Sequence, residues 1–244
     1  MRLRKIRRSL AVLVLSAMVC LGFTAVKDGY DLYKEAVNEM SLTDKVAEIQ
    51  AKDGYTELSE LPETYLDAVV SVEDHRFYRH IGIDFIAICR AIVNDIKAGS
   101  FVVGGSTITQ QRAKNLYFTQ EKKMERKIAE VFLAFDLETT YSKDEILELY
   151  VNSIYFGDGY DNVGQASAGY FGKEPKEMNL YESTMLAGVP NAPSKYAPTK
   201  NPELAEQRRR QVVRRMEANG CYTGDPVQMT AVKAVASRVS VVNP

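Results

Sequence analysis

The sequence predicts a mainly α-helical domain. Strand alternation is scarce along its 244 residues. Apolar residues Phe85, Ile88, Cys89, Ile92 and Ile96 recur at the period of one helix face, with Arg90, Asn94 and Lys97 elsewhere on the wheel. Capping boxes are spelled out by Ser142 with Glu145 and by Asn179 with Glu182, each ahead of an apolar run. No internal repeat is present.

The elements follow in order. Residues 1–8, MRLRKIRR, form a basic tail. Residues 9–26, SLAVLVLSAMVCLGFTAV, carry no charge. At a rise of about 1.5 Å per residue they reach roughly 27 Å, enough for a bilayer core. An Ala-x-Ala site is missing and Cys20 has poor lipoprotein context, so an uncleaved anchor is expected rather than a cleaved signal. The positive-inside rule then keeps the N-terminus cytoplasmic and places the body outside. Residues 27–55 read as a stalk or first helix, charged and helical over 31–50 and broken at Asp53-Gly54. A helix after Leu61-Pro62 is expected to reach into 71–80, SVEDHRFYRH.

The helix over 85–96 should end at Ala98-Gly99. An apolar connector, 100–103, leads to Gly104-Gly105, and Ser106 or Thr107 can cap the next helix. Glycines 157, 159, 164 and 172 punctuate the middle of the chain. Residues 190–202, PNAPSKYAPTKNP, read as an irregular proline-rich loop. Pro202 opens a helix through RRRQVVRRM that Asn219-Gly220 should close. Residues 223–244 are left as a tail.

Composition narrows the function. With 45% hydrophobic and 26% charged residues, the chain supports a packed core and is not globally disordered. The net charge is −1, yet five basic residues lie within the first eight, so the body is mildly acidic. That argues against nucleic acid as the main ligand. Cys20, Cys89 and Cys221 are odd in number and fit no zinc spacing, which argues against a disulfide framework or a cysteine metal site. The two histidines, His75 and His80, both lie in 71–80, which disfavours a triad spread over the chain.

Three stretches could carry chemistry. If 71–80 is helical, Glu73, Phe77 and His80 share one face, with Asp74 about 100° round the wheel. A carboxylate beside an aromatic ring has its pKa raised by desolvation, which suits a general base or acid. The bland alternative is a solvated helix with surface charge pairs. In GGSTITQQRAKN, residues 104–115, Thr107, Gln111, Lys114 and Asn115 form a polar stripe behind glycine amides. A helix start of that kind suits an anion, although the nucleotide-loop spacing GxxxxGK[ST] is absent. An ordinary capped surface helix would look the same. In RKIAE, residues 126–130, Arg126 and Glu130 are four apart. They make either a surface ion pair worth about 0.3–0.5 kcal/mol or a second carboxylate held by a cation near a phosphate. Paired carboxylates, an anion-binding helix start and cations outside the membrane together suggest glycosyl chemistry on a charged donor.

The order of these pieces resembles the bacterial peptidoglycan glycosyltransferases. The family's EDxxFxxHxG motif is matched by Glu73, Asp74, Phe77, His80 and Gly82. GGSTITQQxxKN is matched by 104–111 with Lys114 and Asn115, and RKxxE by Arg126, Lys127 and Glu130. KxxILExYxN is matched by Lys143, Ile146, Leu147, Glu148, Tyr150 and Asn152, and RRxxVL nearly by Arg208, Arg209, Val212 and Val213. The likeness covers roughly 60–220. Departures are Arg112 at a usually apolar position, Val151 and Val213 for leucines, and Gln165 where glutamate is frequent. They bear on packing and the groove wall, not on the reaction.

The resemblance implies a lysozyme-like glycosyltransferase domain over 56–222 with a small membrane-facing jaw at about 84–103. It implies polymerisation of lipid II into β-1,4 glycan by an inverting transfer from the growing strand, with undecaprenyl pyrophosphate leaving. Glu73 would be the base. Glu130, Lys114 and Arg126 would hold or neutralise the pyrophosphate. Thr107, Gln111 and Asn115 would line the donor side. Asp74, Phe77, His80, Ser106, Gln110, Lys127 and Lys143 complete the substrate-binding set, while Arg76 and Arg79 are expected to be solvated or to face lipid headgroups. No cofactor is required, with room left for Mg2+ or Mn2+ beside Glu130. Recruitment by cell-wall synthesis or division proteins is expected. No transpeptidase motif follows, so a monofunctional transglycosylase is expected. The rivals are a membrane-bound lytic transglycosylase or lysozyme-like hydrolase, disfavoured by the full TITQQ and RKxxE motifs, and an inactive cell-wall scaffold, disfavoured by intact Glu73 and Glu130.

Overall fold

The computed structural model describes residues 2–99, 105–118 and 123–222. The connector 100–103, Gly104 and the tail 223–244 lie outside the described residues. Among the described residues the chain is helical and has no strand.

Helix α1 (Arg2–Glu39) runs through the stretch expected to be an anchor. Among the described residues, no helix is long and apolar enough to cross a membrane. Met40 and Ser41 break the helical run expected over 31–50. The Ser41 hydroxyl caps α2 (Leu42–Gln50) by accepting the Asp44 N–H at 3.2 Å. Residues 27–55 do not hang free of the domain. The second half of α1 packs along α6 (Met124–Thr140), and a Cβ on Gly29 would lie 2.6 Å from Ile128 Cβ. Only a residue without a side chain lets the two helices approach this closely. Nearby, Tyr33 stacks on Phe132 at 5.8 Å and its hydroxyl donates to Asp136. Tyr33, Leu42, Val46 and Ile49 join the common hydrophobic core.

α3 (Glu63–Glu73) starts after Pro62 and buries Tyr65, Ala68 and Val69 against α9 (Leu180–Gly188) and α11 (Pro202–Asn219). α9 is the central rod, with 182–188 all buried. α5 (Ile108–Tyr117) lies between α6 and α7 (Lys143–Val151). α8 (Val163–Phe171) covers the far side, where Asn152 braces the 54–58 turn by pairing with the Thr56 backbone at 2.8 and 2.7 Å. Both expected capping boxes form, and Gly99 and Gly220 end the helix that starts at Phe85 and α11 in the left-handed conformation.

Two expectations fail. The 190–202 stretch is not irregular throughout: a 3-10 turn, Val189–Asn191, leads into α10 (Pro193–Tyr196), where Pro193 takes the first helical position. Nor is 71–80 one helix. α3 stops at Glu73, Asp74 turns out at φ −157°, and a separate 3-10 turn holds Phe77–Arg79.

The periodic stripe over 85–96 does form a helix, α4 (Phe85–Ala98), capped by Asp84 through the Ala87 N–H at 2.9 Å. Its apolar face is not a core face. Phe85, Ile86, Ile92, Val93 and Ile96 are exposed, and Ala91 is its one buried residue. A cavity of about 670 Å³ separates α4 from α6, lined by the apolar Ile88, Val131 and Phe135 and by the polar Ser106, Gln110 and Lys127.

Candidate active site

Glu73 ends α3 and its side chain is only 12% exposed. One oxygen, Oε2, accepts from Gln111 Nε2 at 3.0 Å. The other, Oε1, is buried without a hydrogen-bond partner, and Arg208 Nη2 stands 3.8 Å away. Burial pushes the carboxyl pKa up; Gln111 and then Arg208 pull it down, and Asp74 adds to the rise. A carboxylate this short of donors is more basic than one in water, which is the property a general base needs.

Asp74 is buried and has partners of its own. Its Oδ2 accepts the Ile108 N–H at 3.1 Å and contacts His80 Nε2 at 2.8 Å. The shared face of Phe77 and His80 therefore exists, but folding across the break creates it: the two rings meet edge-on with centroids 6.2 Å apart. Phe77 is fully buried, and Lys143 lies 4.5 Å over its ring while pairing with Glu138 at 2.7 Å. Lys143 thus braces this wall. Arg76 is no solvated charge; it forms a bidentate pair with Asp84, the cap of α4. Arg79 is exposed.

At the start of α5 several backbone amides are engaged from within the protein. Its Ile108 N–H is taken by Asp74, as above. Thr107, 2% exposed, donates its hydroxyl to the Gly82 carbonyl at 2.6 Å and accepts the Gln110 N–H at 3.0 Å. Gln110 is buried and returns the bond from its Oε1 to the Thr107 N–H at 3.2 Å, completing a capping box. Thr107 and Gln110 therefore hold the helix start together, and Gln110 also lines the cavity beside α4. Gln111 and Lys114 are half-buried on the next turns, and Asn115 is exposed.

Glu130 lies on α6 with 1% of its side chain exposed. Arg126 pairs with one of its oxygens and Lys127 with the other at 2.8 Å. The surface ion pair that RKIAE allowed is thus a buried carboxylate held by two cations. Lys127 also donates to Ser106 Oγ at 2.9 Å, tying α6 to the chain before α5. Lys114 faces the same group. Burial lowers its pKa, Glu130 opposes that, and Arg126 and Lys127 add to it. Three cations around one carboxylate leave an excess of positive charge, a setting suited to a phosphate-bearing ligand. Both oxygens of Glu130 are engaged by cations, and no group of three or more His, Cys, Asp or Glu able to hold a metal occurs among the described residues. The arrangement does not fit a divalent ion at Glu130.

Arg208 escaped attention as a site residue because it lies in the last helix, far along the chain from Glu73. Its signal was the RRxxVL motif. It also donates to the Gly188 carbonyl at 3.4 Å, so α9 and α11 place it together.

Comparison with known proteins agrees with this geometry. A family model described as Transglycosylase matches residues 40–217. Penicillin-binding protein 1A of Aquifex aeolicus is 47% identical over 69% of this chain and 23% of its own length. Penicillin-binding protein 1F of Bacillus subtilis is 45% identical over 67% of this chain and 23% of its own. Penicillin-binding protein 1A of Neisseria gonorrhoeae is 45% identical over 66% and 20%. The chain thus spans less than a quarter of the length of these relatives. The donor-starved Glu73 and the cation-ringed Glu130 both lie within the matched residues, and the chain belongs to the transglycosylase family of peptidoglycan glycosyltransferases.

Proposed function

We propose that this chain polymerises lipid II into β-1,4 glycan strands, with Glu73 as general base. The observation that carries it is the contrast of two carboxylates on either side of α5, one short of donors and one ringed by cations. Glu73 takes the proton of the acceptor sugar's 4-hydroxyl. That oxygen attacks the donor's anomeric carbon, the bond to pyrophosphate breaks, and the polyprenyl pyrophosphate leaves with the electron pair. Attack opposite the leaving group turns an α-linked donor into a β-linked product. Lys114, Arg126 and Lys127 neutralise the charge that develops on the leaving group. Gln111 and Asn115 border the donor side.

The membrane part of the proposal is a single-pass anchor over 9–26, a cytoplasmic N-terminus and an extracytoplasmic domain. The basic tail and the uncharged run support it, as does the exposed apolar face of α4, which suits a jaw resting on a bilayer. Cell-wall synthesis or division proteins are the expected partners.

Labelled lipid II given to the purified protein tests the reaction. Glycan polymer is expected. Solubilised sacculi with no polymer would instead identify a hydrolase, and neither product would leave a scaffold.

A further inference from the structure

We propose that Tyr150 is a positioning residue: its hydroxyl fixes the Gln111 amide in the orientation that donates to Glu73. The inference rests on Glu73 acting as the base. Tyr150 sits on α7 with 1% exposure, and its hydroxyl donates to Gln111 Oε1 at 3.4 Å. On the other side of the same amide, Nε2 donates to Glu73 Oε2 at 3.0 Å. A carboxamide has nearly the same shape either way round but opposite hydrogen-bonding ends. Turned over, Oε1 would face the carboxylate, and that contact holds only when Glu73 carries a proton. The tyrosine oxygen could then accept from the amide. Its own O–H, on a side chain only 1% exposed, would lose Gln111 Oε1, its acceptor among the described residues. A buried O–H without an acceptor is penalised, so the tyrosine proton selects the donating orientation.

Tyr150 can do this across the working pH range because it stays an O–H. Burial first, then the neighbouring Glu73, Tyr65 and Asp74, push its pKa well above the ordinary phenol value. The charged and titratable groups facing Glu73 are Arg208 from α11, Tyr150 from α7 and Asp74 from its own strand of chain, with the Gln111 amide from α5. Of these, Gln111 and Arg208 favour the ionised base. Gln111 does so only while its amide points the right way. The polar group expected to line the donor side is thus first a support for the base.

The experiment uses the full chain with Tyr150→Phe, which keeps the ring and removes the hydroxyl. Lipid II polymerisation is followed against pH, and the Glu73 carboxyl band is titrated by infrared difference against Glu73→Gln. The acid limb of kcat and the infrared titration are both expected to move up by about half to one pH unit, with KM for lipid II within about twofold. Gln111→Met, at a half-buried position, is expected to give the same upward shift and serves if the first variant folds poorly. In the Gln111→Met background, adding Tyr150→Phe should move nothing further. A uniform loss of kcat with both titrations unmoved would overturn the proposal, as would an equal shift from Tyr150→Phe when Gln111 is already methionine. If the unsubstituted chain does not polymerise lipid II at any pH, the infrared titration alone decides the orientation lock, and the proposed reaction fails separately.

Discussion

Glu73 and Glu130 are both carboxylates sunk in the same helical domain, and the fold treats them in opposite ways. Glu73 receives one amide donor and a distant guanidinium, and leaves one oxygen unpartnered. Glu130 has a cation on each oxygen. A carboxylate denied partners is destabilising and reactive; one given two becomes part of the scaffold and sets a local field. α5 runs between them, with Gln111 facing one and Lys114 the other. Identical side chains on α3 and α6 are thus divided into a proton acceptor and an electrostatic support.

Removing each carboxylate is the most direct way to break this contrast. Glu73→Gln should cut polymerisation by about a hundredfold or more, the usual contribution of a general base. Its thermal unfolding midpoint should stay level or rise. The sign follows from the raised carboxyl pKa: ionising Glu73 is harder in the folded state, so folding loses stability as pH climbs through the folded pKa, and glutamine has no charge to ionise. Near-normal polymer yield would sink the base assignment. Glu130→Gln should do the reverse to stability. It removes the buried carboxylate that Arg126, 14% exposed, and Lys127 both pair with, and a loss of about 1–3 kcal/mol is expected in denaturant unfolding. The half-exposed Lys127 recovers water and keeps the loss at the lower end. If both variants were equally stable, the two sites would not differ as described.

A third buried charge sharpens the contrast. Arg112 lies on α5, is 1% exposed, and has Nε and Nη2 without hydrogen-bond partners. Burial holds its pKa below the ordinary guanidinium value. It contacts neither carboxylate. Arg112→Met should therefore stabilise the domain by about 1–2 kcal/mol, a few degrees in midpoint, with polymerisation unchanged. A fall in stability would mean the guanidinium is satisfied after all. The smallest expected effect is that of Arg208→Gln. Losing a cation 3.8 Å from Glu73 should move the acid limb of the pH–rate profile upward by a few tenths of a unit. An unmoved limb would assign Arg208 to packing alone.

The sequence told more about helix ends than about the site. Caps such as Ser142 with Glu145, and stops such as Gly99 and Gly220, depend on residues a few positions apart, so they could be read directly. The motif positions also located Glu73, Gln111 and Glu130. What escaped depends on distant partners. Periodicity carried a helix through Glu73, Phe77 and His80, yet Asp74 is pulled out by the Ile108 N–H thirty-four positions later. The polar stripe on α5 placed Thr107 beside Gln111, but the Gly82 carbonyl draws Thr107 inward. Arg112 read as a mild departure because its burial is decided by how α5 sits between α6 and α7. The exposure of the α4 stripe was likewise invisible to periodicity, which marks an apolar face without saying what covers it.

The break after Glu73 has an electrical consequence. Glu73 is the last residue of α3, where the aligned peptide dipoles present their negative pole, and that pole repels a carboxylate charge. One residue later, Asp74 meets the first amides of α5, where the dipoles present their positive pole. Two adjacent carboxylates are thereby set against opposite ends of two helices. The backbone itself helps to make one a better proton acceptor and gives the other an N–H to accept, before any side chain contributes.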